Sequence, residues 1–224
     1  MTPGIQNGTG RQVPPAQAVP PDRAAIRVNI LSKRFGATEV LRGVHFSVSR
    51  GETVALLGPS GIGKSTLLRI VAGLDRDFDG SVQRPEEMAM VFQEPTLLPW
   101  RSALQNLLLV HPGLTPSEAR AALDRVGLKG REDAFPRALS LGQQRRLALA
   151  RAFAGRPRML NTDEPFVSLD PSLANAMLSL AEDLIAEQRP ATIFVTHARA
   201  EADRLASRVL ELRGTPATLT PHPI

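Results

Sequence analysis

A nine-residue stretch, GPSGIGKST at residues 58–66, constrains the fold of this chain more than any other feature. An apolar run with the length of a buried strand, residues 54–57, precedes it, and residues 67–71 continue with the apolar spacing of a helix. Glycines between a strand and a helix let the backbone turn tightly, so that successive N–H groups converge on an anion. This order of elements predicts a phosphate-binding loop.

Two side chains of this loop have the chemistry that a nucleotide requires. Lys64 carries a compact charge that can reach the β- and γ-phosphates, and Ser65 offers a hydroxyl to Mg²⁺. A helix that begins near Gly63 adds the positive end of its dipole and unpaired N–H groups. We therefore expect residues 58–66 to bind the phosphates of a nucleotide.

Length and composition limit the classes of protein to which the chain can belong. The 224 residues suffice for one domain of ordinary to large size, and the absence of cysteine excludes disulfides and thiolate metal sites. No apolar run approaches the roughly 20 residues that span a bilayer, and the N-terminus lacks the pattern of a secretion signal. We expect a soluble, cytoplasmic protein.

The net charge of +5 would allow nucleic acid as a partner. However, only 4% of the residues are aromatic, and the chain has no lysine-rich block and no tyrosine. Platforms on which bases stack need aromatic side chains. We therefore expect a generally basic surface and no nucleic acid partner.

Composition and periodicity divide the chain into three parts. Residues 1–24 are rich in Pro, Gly, Gln and Thr without a period, which predicts a disordered tail. Residues 25–213 alternate strand-like and helix-like segments, which predicts an α/β domain with a mostly parallel sheet and a helical insertion over residues 95–155. Residues 214–224 contain prolines and are expected to fray as a short C-terminal tail.

Local signals place the elements within the domain. Thr115 and Ser140 each begin a predicted capping box, and Asp170 precedes a proline at the start of an amphipathic helix. Residues 77–80 are predicted as a turn. Strands are predicted at residues 26–31, 44–48, 54–57, 88–92, 159–162, 192–196 and 209–212.

Asp163 and Glu164 follow a predicted strand, at the sheet edge where ligands bind in open α/β folds. The first carboxylate can hold Mg²⁺ through water, and the second can take a proton from an attacking water. The strand before them is unusual, because Asn161 and Thr162 are polar at positions that should be buried. We expect both to have hydrogen-bond partners or an exposed edge, since burying either one alone costs about 1–3 kcal/mol.

Seven short motifs stand in one order along the domain. They are Phe35, GPSGIGKST at 58–66, Gln93, LSLGQQRRLALARA at 139–152, DEP at 163–165, SLD at 168–170 and VTH at 195–197. In these motifs and their order the chain resembles the ATP-binding subunit of an ATP-binding cassette (ABC) transporter. The resemblance implies an α/β P-loop NTPase fold with a mostly parallel sheet, an N-terminal antiparallel β subdomain and a helical insertion. It also implies ATPase activity with ATP and Mg²⁺.

The resemblance assigns a role to each matching residue. It implies that Glu164, His197, Gln93 and Lys64 act in catalysis, and that Ser65, Gln93 and Asp163 hold Mg²⁺. Phe35 is implied to stack on adenine, and a phenylalanine of the core is the alternative. The residues implied to bind ATP are Phe35, Gly58, Pro59, Ser60, Gly61, Ile62, Gly63, Lys64, Ser65, Thr66, Ser140, Gly142 and Gln143.

The motif at residues 139–152 implies a second subunit. In the family this motif is donated across a head-to-tail dimer, so Ser140 and Gly142 are expected to complete the nucleotide site of a partner. The partner would be a second copy or a paired ATP-binding subunit. The family pattern has two glycines where this chain has Leu141 and Gly142. A slower ATPase, a weaker closed dimer and a cassette that only binds ATP stay open as alternatives.

The segment that follows Gln93 and contains Trp100 resembles the importers of nitrate, sulfonate, taurine and related anions. This implies membrane permease subunits as partners, indirectly a periplasmic or extracellular solute-binding protein, and a place on the cytoplasmic face of the inner membrane. Trp100 would be an exposed anchor for the permease or a buried residue of the helical subdomain. A soluble ABC ATPase acting on DNA or the ribosome is the other alternative, disfavoured by the single cassette and the lack of a heptad run.

Overall fold

The computed structural model describes residues 24–222, so most of the predicted N-terminal tail and the last two residues lie outside the described part. The described chain contains nine strands and six α-helices. In chain order they are β1 (Ala24–Phe35), β2 (Thr38–Ser49), β3 (Thr53–Leu57), α1 (Lys64–Val71), β4 (Asp79–Gln83), β5 (Met88–Val91), α2 (Ala103–Leu108), α3 (Pro116–Arg125), α4 (Leu141–Ala154), β6 (Met159–Asp163), α5 (Pro171–Gln188), β7 (Ala191–Val195), α6 (Arg199–Leu205), β8 (Arg208–Arg213) and β9 (Thr218–His222).

The N-terminal strands form a small antiparallel sheet in the order β2-β1-β4. Along β1, Ile26, Val28 and Ile30 are buried and the residues between them are exposed, which is the alternation of a sheet with one face on a core. Gly36 has a φ of 57° in the tight connection to β2. The antiparallel N-terminal subdomain is therefore confirmed.

The main sheet has the order β5-β6-β7-β3-β8-β9, and its strands are parallel except for β9. Strands β3 and β7 lie in the middle and are buried throughout. Their alternate side chains enter two cores. Ala55 and Phe194 pack with α4 and α5, whereas Val54 and Ile193 pack with α1 and the small sheet. The predicted α/β fold with a mostly parallel sheet is confirmed.

Helices α2, α3 and α4 lie within the predicted helical insertion, together with a short 3-10 turn at Pro136–Ala138. The predicted capping boxes are present, because the hydroxyls of Thr115 and Ser140 accept from backbone N–H groups at the starts of α3 and α4. The Asp170 carboxylate accepts from Leu173 N at 3.0 Å and begins α5 as predicted. A third box, in which Ser102 begins α2, was not predicted.

Two segments form strands that the sequence did not predict. Residues 77–80 were expected to be a turn only, but Asp79 and Gly80 belong to β4 and pair with β1. A Cβ atom on Gly80 would lie 2.1 Å from Asn29 O, so this close strand pairing requires glycine. The expectation that residues 214–224 fray is wrong over Thr218–His222, because β9 pairs with the edge of the main sheet at β8. Pro221 is tolerated there since β9 is an edge strand.

The polar residues of β6 also differ from expectation. Asn161 and Thr162 are buried in a strand that has neighbours on both sides, so the predicted exposed edge is absent. Asn161 Nδ2 lies 3.9 Å from Met88 Sδ, but Asn161 Oδ1 and Thr162 Oγ1 have no hydrogen-bond partner within the described chain. Strand β6 therefore carries an energetic cost directly before the acidic pair at residues 163–164.

Candidate active site

The glycine-rich stretch connects β3 to α1 at the carboxyl end of the main sheet. Gly58, Gly61 and Gly63 have φ values of 150°, 77° and 114°, which side chains rarely adopt. Gly63 is also the N-cap residue of α1, and no side chain accepts from the first N–H groups of that helix. These N–H groups are therefore available to an anion at the positive end of the helix dipole.

Lys64 is the first residue of α1, and its side chain is buried beneath the loop. Its Nζ donates to Gly58 O at 2.9 Å and to Pro59 O at 3.1 Å, and it lies 3.3 Å from Glu164 Oε1. The charge is thus held at the centre of the loop by three oxygens. A triphosphate bound in the loop would compete with these oxygens for the amine.

One pocket of about 440 Å³ lies over the loop. It brings together residues that are far apart in the sequence but follow neighbouring elements of the fold. The predicted residues that line it are Phe35, Ser60, Gly61, residues 63–66, Gln93, Asp163 and Glu164. Gly58, Pro59 and Ile62 belong to the same loop but do not line the pocket, and Val40, which was not predicted, does.

Glu164 bridges two basic groups at the carboxyl end of β6. Its Oε1 faces Lys64, and its Oε2 lies 3.3 Å from Nδ1 of His197, which follows β7. The residue has a φ of 47°, and its N–H donates to Val195 O, so the backbone itself turns the carboxylate toward the loop. Carboxylate, lysine and histidine therefore meet at the carboxyl ends of β6 and β7, beside the phosphate loop.

Asp163, the last residue of β6, faces Ser65 at the start of α1. Burial raises the pKa of the Asp163 carboxyl above its ordinary value, and the charge of Glu164 adds to this, whereas a hydrogen bond from Ser65 and the charge of Lys64 oppose it. The structure thus holds a carboxylate, a hydroxyl and, from Gln93, an amide oxygen around one pocket. These are the oxygen donors that Mg²⁺ prefers.

Phe35 is 54% exposed at the end of β1, so the alternative of a core phenylalanine is wrong. Beneath it lies Lys33, whose Nζ is 4.5 Å from the centroid of the ring. The ammonium pairs with Asp75 at 2.9 Å and lies 3.4 Å from the Asp77 carboxylate. Burial opposes the charge on Lys33, but these two carboxylates outweigh it and raise the pKa of the amine. Lys33 was not predicted as a buried residue, because its burial depends on partners more than forty residues away.

Ser140, Gly142 and Gln143 lie at the N-terminus of α4 and do not line the pocket over the loop. Gln143 N donates to Ser140 Oγ at 3.3 Å, and Gln143 Oε1 accepts from Ser140 N at 3.0 Å. Leu141 is 49% exposed beside them. The structure therefore presents this helix end on the surface of the chain.

Gly142 is constrained by packing against α5. A Cβ atom at this position would lie 3.0 Å from Leu173 Cδ1 and 3.2 Å from Leu173 Cδ2. Those contacts are tighter than ordinary van der Waals distance, so a larger residue here would need the Leu173 side chain to shift by a few tenths of an ångström. Position 142 is therefore the more closely packed of the two, whereas Leu141 is exposed.

Two arginines of α4 connect this helix to the candidate site. Arg145 is buried and donates to Pro165 O and, at 3.1 Å, to Val167 O, directly after Glu164. Arg151 donates to Pro95 O at 3.1 Å and to Thr96 O at 2.9 Å in the segment that follows Gln93. Neither was predicted, because arginine in a basic helix is most often a surface residue. Movement of α4 would therefore displace both loops.

Comparison with known proteins agrees with this geometry. The model of the family described as ABC transporter matches residues 41–167, which is more than half of the chain. The chain belongs to the ABC transporter family. It carries the family's ATP-binding cassette and is an ABC-type ATPase.

Similar proteins include two named aliphatic sulfonates import ATP-binding protein SsuB 2. The one from Rhizobium johnstonii is 46% identical over 195 residues, which cover 86% of this chain and 78% of that protein. The one from Nocardia farcinica is 48% identical over 194 residues, with coverages of 84% and 80%. The identity extends over most of both chains, so this cassette resembles those of importers along nearly its whole length.

The fold is also found in solved structures. A metal-chelate type ABC transporter in an inward-facing conformation has a chain that aligns with a TM-score of 0.78 and 26% identity, covering 88% of this chain and 83% of its own. Within residues 24–222 of the ABC protein, none of the helices has both the length and the apolar character that a bilayer crossing requires.

Proposed function

We propose that this chain is the ATP-hydrolysing subunit of an ABC importer and works as a head-to-tail dimer, either with a second copy or with a paired ATP-binding subunit. The observation that carries the proposal is the shared pocket of the phosphate loop, Phe35, Gln93 and the acidic pair at residues 163–164. An aromatic face, a ring of backbone N–H groups and two carboxylates suit an adenine, a triphosphate and a divalent cation in that order along one cleft.

The loop binds the phosphates. The N–H groups at the start of α1 point at the β- and γ-phosphates, and Lys64 turns from its carbonyl acceptors and Glu164 to the same oxygens. Phe35 presents its exposed ring to the adenine. ATP is thereby oriented with its γ-phosphate beside the carboxyl ends of β6 and β7.

The pocket fits Mg²⁺. Ser65, Gln93 and Asp163 offer three different oxygen donors, and Mg²⁺ typically takes one or two carboxylates together with water and substrate phosphates. Residues 24–222 contain no group of three or more His, Asp and Glu side chains placed to hold a metal ion alone, which agrees with a site completed by phosphate. Bound there, the ion supplies charge neutralisation at the β- and γ-phosphates.

Glu164 positions and deprotonates the attacking water. Once Lys64 pairs with phosphate, Oε1 of Glu164 is released from its ion pair and becomes free to accept a proton. His197 holds the other carboxylate oxygen at 3.3 Å and lies beside the position of the γ-phosphate. Because the transferring phosphoryl group needs mainly positioning and electrostatic stabilisation, these contacts suffice for hydrolysis.

A partner completes the site. The N-terminus of α4, with Ser140 and Gly142, is exposed and lies outside the pocket that its own chain forms. In a head-to-tail pair, this helix end closes on the γ-phosphate held by the other chain, and the exposed Leu141 lies in the interface. Closure then pulls on the loops that Arg145 and Arg151 connect to α4.

The partners in the membrane are permease subunits, with a periplasmic or extracellular solute-binding protein acting through them. Trp100 is 67% exposed in the segment that follows Gln93, so it is available to anchor a permease helix. The subunit then works on the cytoplasmic face of the inner membrane. The names of the relatives favour small aliphatic sulfonates as cargo, with nitrate or taurine-like anions as the wider class.

An ATPase assay tests hydrolysis. The wild type should hydrolyse ATP with Mg²⁺, Glu164→Gln should bind ATP and lose turnover by about 100-fold or more, and Glu86→Gln, an exposed glutamate without a side-chain bond, should match the wild type. If the wild type and Glu164→Gln are equally inactive while both bind ATP, the chain is a binding-only cassette. Such a result would contradict the proposal.

A growth assay tests the cargo. A strain that lacks this chain should fail to grow with an alkanesulfonate as the only source of sulfur and should grow normally with sulfate. The wild-type chain should restore growth, and Lys64→Ala should not. If the deletion strain grows normally on alkanesulfonates but loses nitrate uptake, the cargo is not an alkanesulfonate but another anion of the wider class.

A further inference from the structure

Two adjoining pockets lie at the edge of the main sheet opposite to the phosphate loop. Arg50, Arg158 and Arg189 come just before β3, β6 and β7, whereas Gly58 and Glu164 follow β3 and β6. Because each strand has five residues, the two edges are about 16 Å apart. These pockets are therefore separate from the proposed nucleotide site.

The first pocket has a volume of about 290 Å³ and gathers four arginines, namely Arg50, Arg156, Arg158 and Arg189. Within residues 24–222, the guanidinium groups of Arg50, Arg156 and Arg189 make no hydrogen bond and no ion pair within 4 Å, and Arg158 approaches Glu87 only at 4.0 Å. The one acidic residue of the pocket, Glu187, is paired with Arg125. The pocket thus sets four arginines against one lining carboxylate that is already paired, and this excess of positive charge favours an anion.

The second pocket is a cavity of about 160 Å³ between α3, α4 and α5. Its walls are mainly aliphatic and include Leu114, Ala122, Ala150 and Leu184. An engineered apolar cavity of about 150 Å³ binds benzene, so this space can hold a hydrocarbon group of about six carbons. It is too small for the acyl chain of a membrane lipid.

Gln188 and Arg156 line both pockets, so the aliphatic cavity and the cluster of arginines adjoin at these two side chains. Gln188 Nε2 donates to Phe153 O at 3.1 Å, which fixes the orientation of the amide. Its Oε1 is buried and has no hydrogen-bond partner in the described chain. This oxygen can accept from a hydroxyl group or from a water that enters with a ligand.

The acidic group in the wall of the cavity is held by the capping box of α3. Glu118 lines the cavity, but its carboxylate accepts from Thr115 N at 2.8 Å and from Thr115 Oγ1 at 2.7 Å in the capping box of α3. These bonds and the nearby charge of Arg156 stabilise the carboxylate where it stands. Arg50, Arg158 and Arg189 line the first pocket and not this cavity.

We propose that the two pockets form one binding site for a small amphipathic organic anion. The sulfonate or carboxylate head contacts the arginines, and an aliphatic tail of up to about six carbons fills the cavity between α3, α4 and α5. The site binds the free anion rather than a lipid, and it does so whether or not the same class of molecule is the cargo of the permease. Helices α3 and α4 belong to the helical insertion, and α5 belongs to the main α/β layer. A tail bound between these helices therefore contacts both the insertion and the main layer.

Calorimetric titration of the full chain with 1-hexanesulfonate tests the proposal. We expect saturable binding that is unchanged in Lys64→Ala, since the phosphate loop is not the site. The double variant Arg50→Gln/Arg156→Gln should bind at least about tenfold more weakly, and Arg27→Gln, an exposed arginine of β1, should bind normally. Hexanol and hexylammonium should bind at least about tenfold more weakly than hexanesulfonate.

Filling the cavity tests the position of the tail. Ala122→Leu should weaken the binding of hexanesulfonate by about tenfold and change the affinity for methanesulfonate by no more than about twofold. Only the longer tail needs the space in the cavity. If circular dichroism shows that Ala122→Leu is not folded, the same comparison can be made with Ala121→Leu, which changes a more exposed residue of the same wall.

Four results would overturn the proposal. They are equal affinity for inorganic sulfate, equal affinity for hexanol, loss of binding in Lys64→Ala, and binding to phosphatidylglycerol vesicles in place of hexanesulfonate. None of them depends on ATP hydrolysis or on a permease, so failure of this site and failure of the proposed function are distinguishable.

Discussion

Lys64 and Glu164 form an ion pair in the candidate active site, with Nζ 3.3 Å from Oε1. One residue begins α1 after the phosphate loop, and the other follows β6, so the fold brings together groups one hundred positions apart. The pair joins the residue proposed to hold phosphate to the residue proposed to activate water. Phosphate binding would separate them, and the carboxylate would then be free to accept a proton only when substrate is present.

Lys64→Ala should abolish turnover and weaken nucleotide binding, because Lys64 is the only charged side chain of residues 58–66 and is the group proposed to hold the β- and γ-phosphates. Steady-state phosphate release and nucleotide titration measure the two effects separately. Lys129→Ala removes an exposed lysine far from the loop and is the matched control. Near-wild-type turnover in Lys64→Ala would contradict the assignment of this loop.

Phe35→Ala should weaken ATP binding by roughly three- to tenfold, which corresponds to about 0.5–1.5 kcal/mol for a stacked aromatic pair. Lys33→Met should lower thermal stability, because Asp75 then loses its partner beneath the ring, and it should also weaken ATP binding since the ring loses its support. Nucleotide titration and thermal melts report the two effects. A Phe35→Ala variant with unchanged ATP affinity would place the adenine elsewhere.

Asp163→Asn should raise the Tm of the nucleotide-free protein at pH 7 by a few degrees. The folded-state pKa of the Asp163 carboxyl lies above its unfolded value, chiefly through burial. The stability that the group contributes is therefore complete below the unfolded pKa and is lost as the pH rises through the folded pKa. The uncharged asparagine does not lose this stability at neutral pH. The difference in Tm between Asp163→Asn and the wild type should therefore shrink as the pH is lowered.

Melts at several pH values, with Asp183→Asn as an exposed control, measure this gain. The same Asp163→Asn variant should lose Mg²⁺-dependent hydrolysis, because a carboxylate oxygen is replaced by an amide. A lower Tm at pH 7 than in the wild type would show that the Asp163 carboxylate stabilises the fold instead.

In the proposed dimer, Leu141→Gly should increase steady-state ATP hydrolysis, because the exposed leucine side chain beside Ser140 would no longer occupy the interface with the partner. Gly142→Ala should do the opposite and should also lower stability, since its Cβ would press on Leu173 at 3.0 Å. ATPase assays at matched protein concentration compare the two variants. An unchanged rate in Leu141→Gly would show that the leucine at position 141 does not slow ATP hydrolysis.

Local chemistry accounts for the parts of the fold that the sequence predicted. The glycines at 58, 61 and 63 have positive φ values, and the caps at Thr115 and Ser140 begin helices as expected, because these signals act within a few residues. The position of the acidic pair at the end of β6 was also predicted correctly, because the carboxyl ends of parallel strands lie at one edge of the sheet.

Contacts between distant segments account for what was missed. Strand β4 is a short, exposed strand that exists because Gly80 lets it approach β1, and β9 exists because β8 offers an edge. Lys33 and Arg145 are buried by partners from other elements, so their own neighbours in sequence carry no sign of it. Asn161 Oδ1 and Thr162 Oγ1 are buried without a hydrogen-bond partner in residues 24–222, contrary to the expectation, which indicates that β6 gives up stability beside the candidate site.

In the proposed dimer, each complete site combines the phosphate loop of one chain with the N-terminus of α4 from another. Ser140→Asp keeps a residue that caps a helix but places a negative charge against the γ-phosphate, and Lys64→Ala disables the loop. Mixed dimers of these two variants contain one site with an intact loop and an intact helix end. The ATPase rate of the mixture should therefore clearly exceed the sum of the two inactive variants. A mixture that stays as inactive as its components, while both variants remain folded and dimerise with the wild type, would contradict the claim.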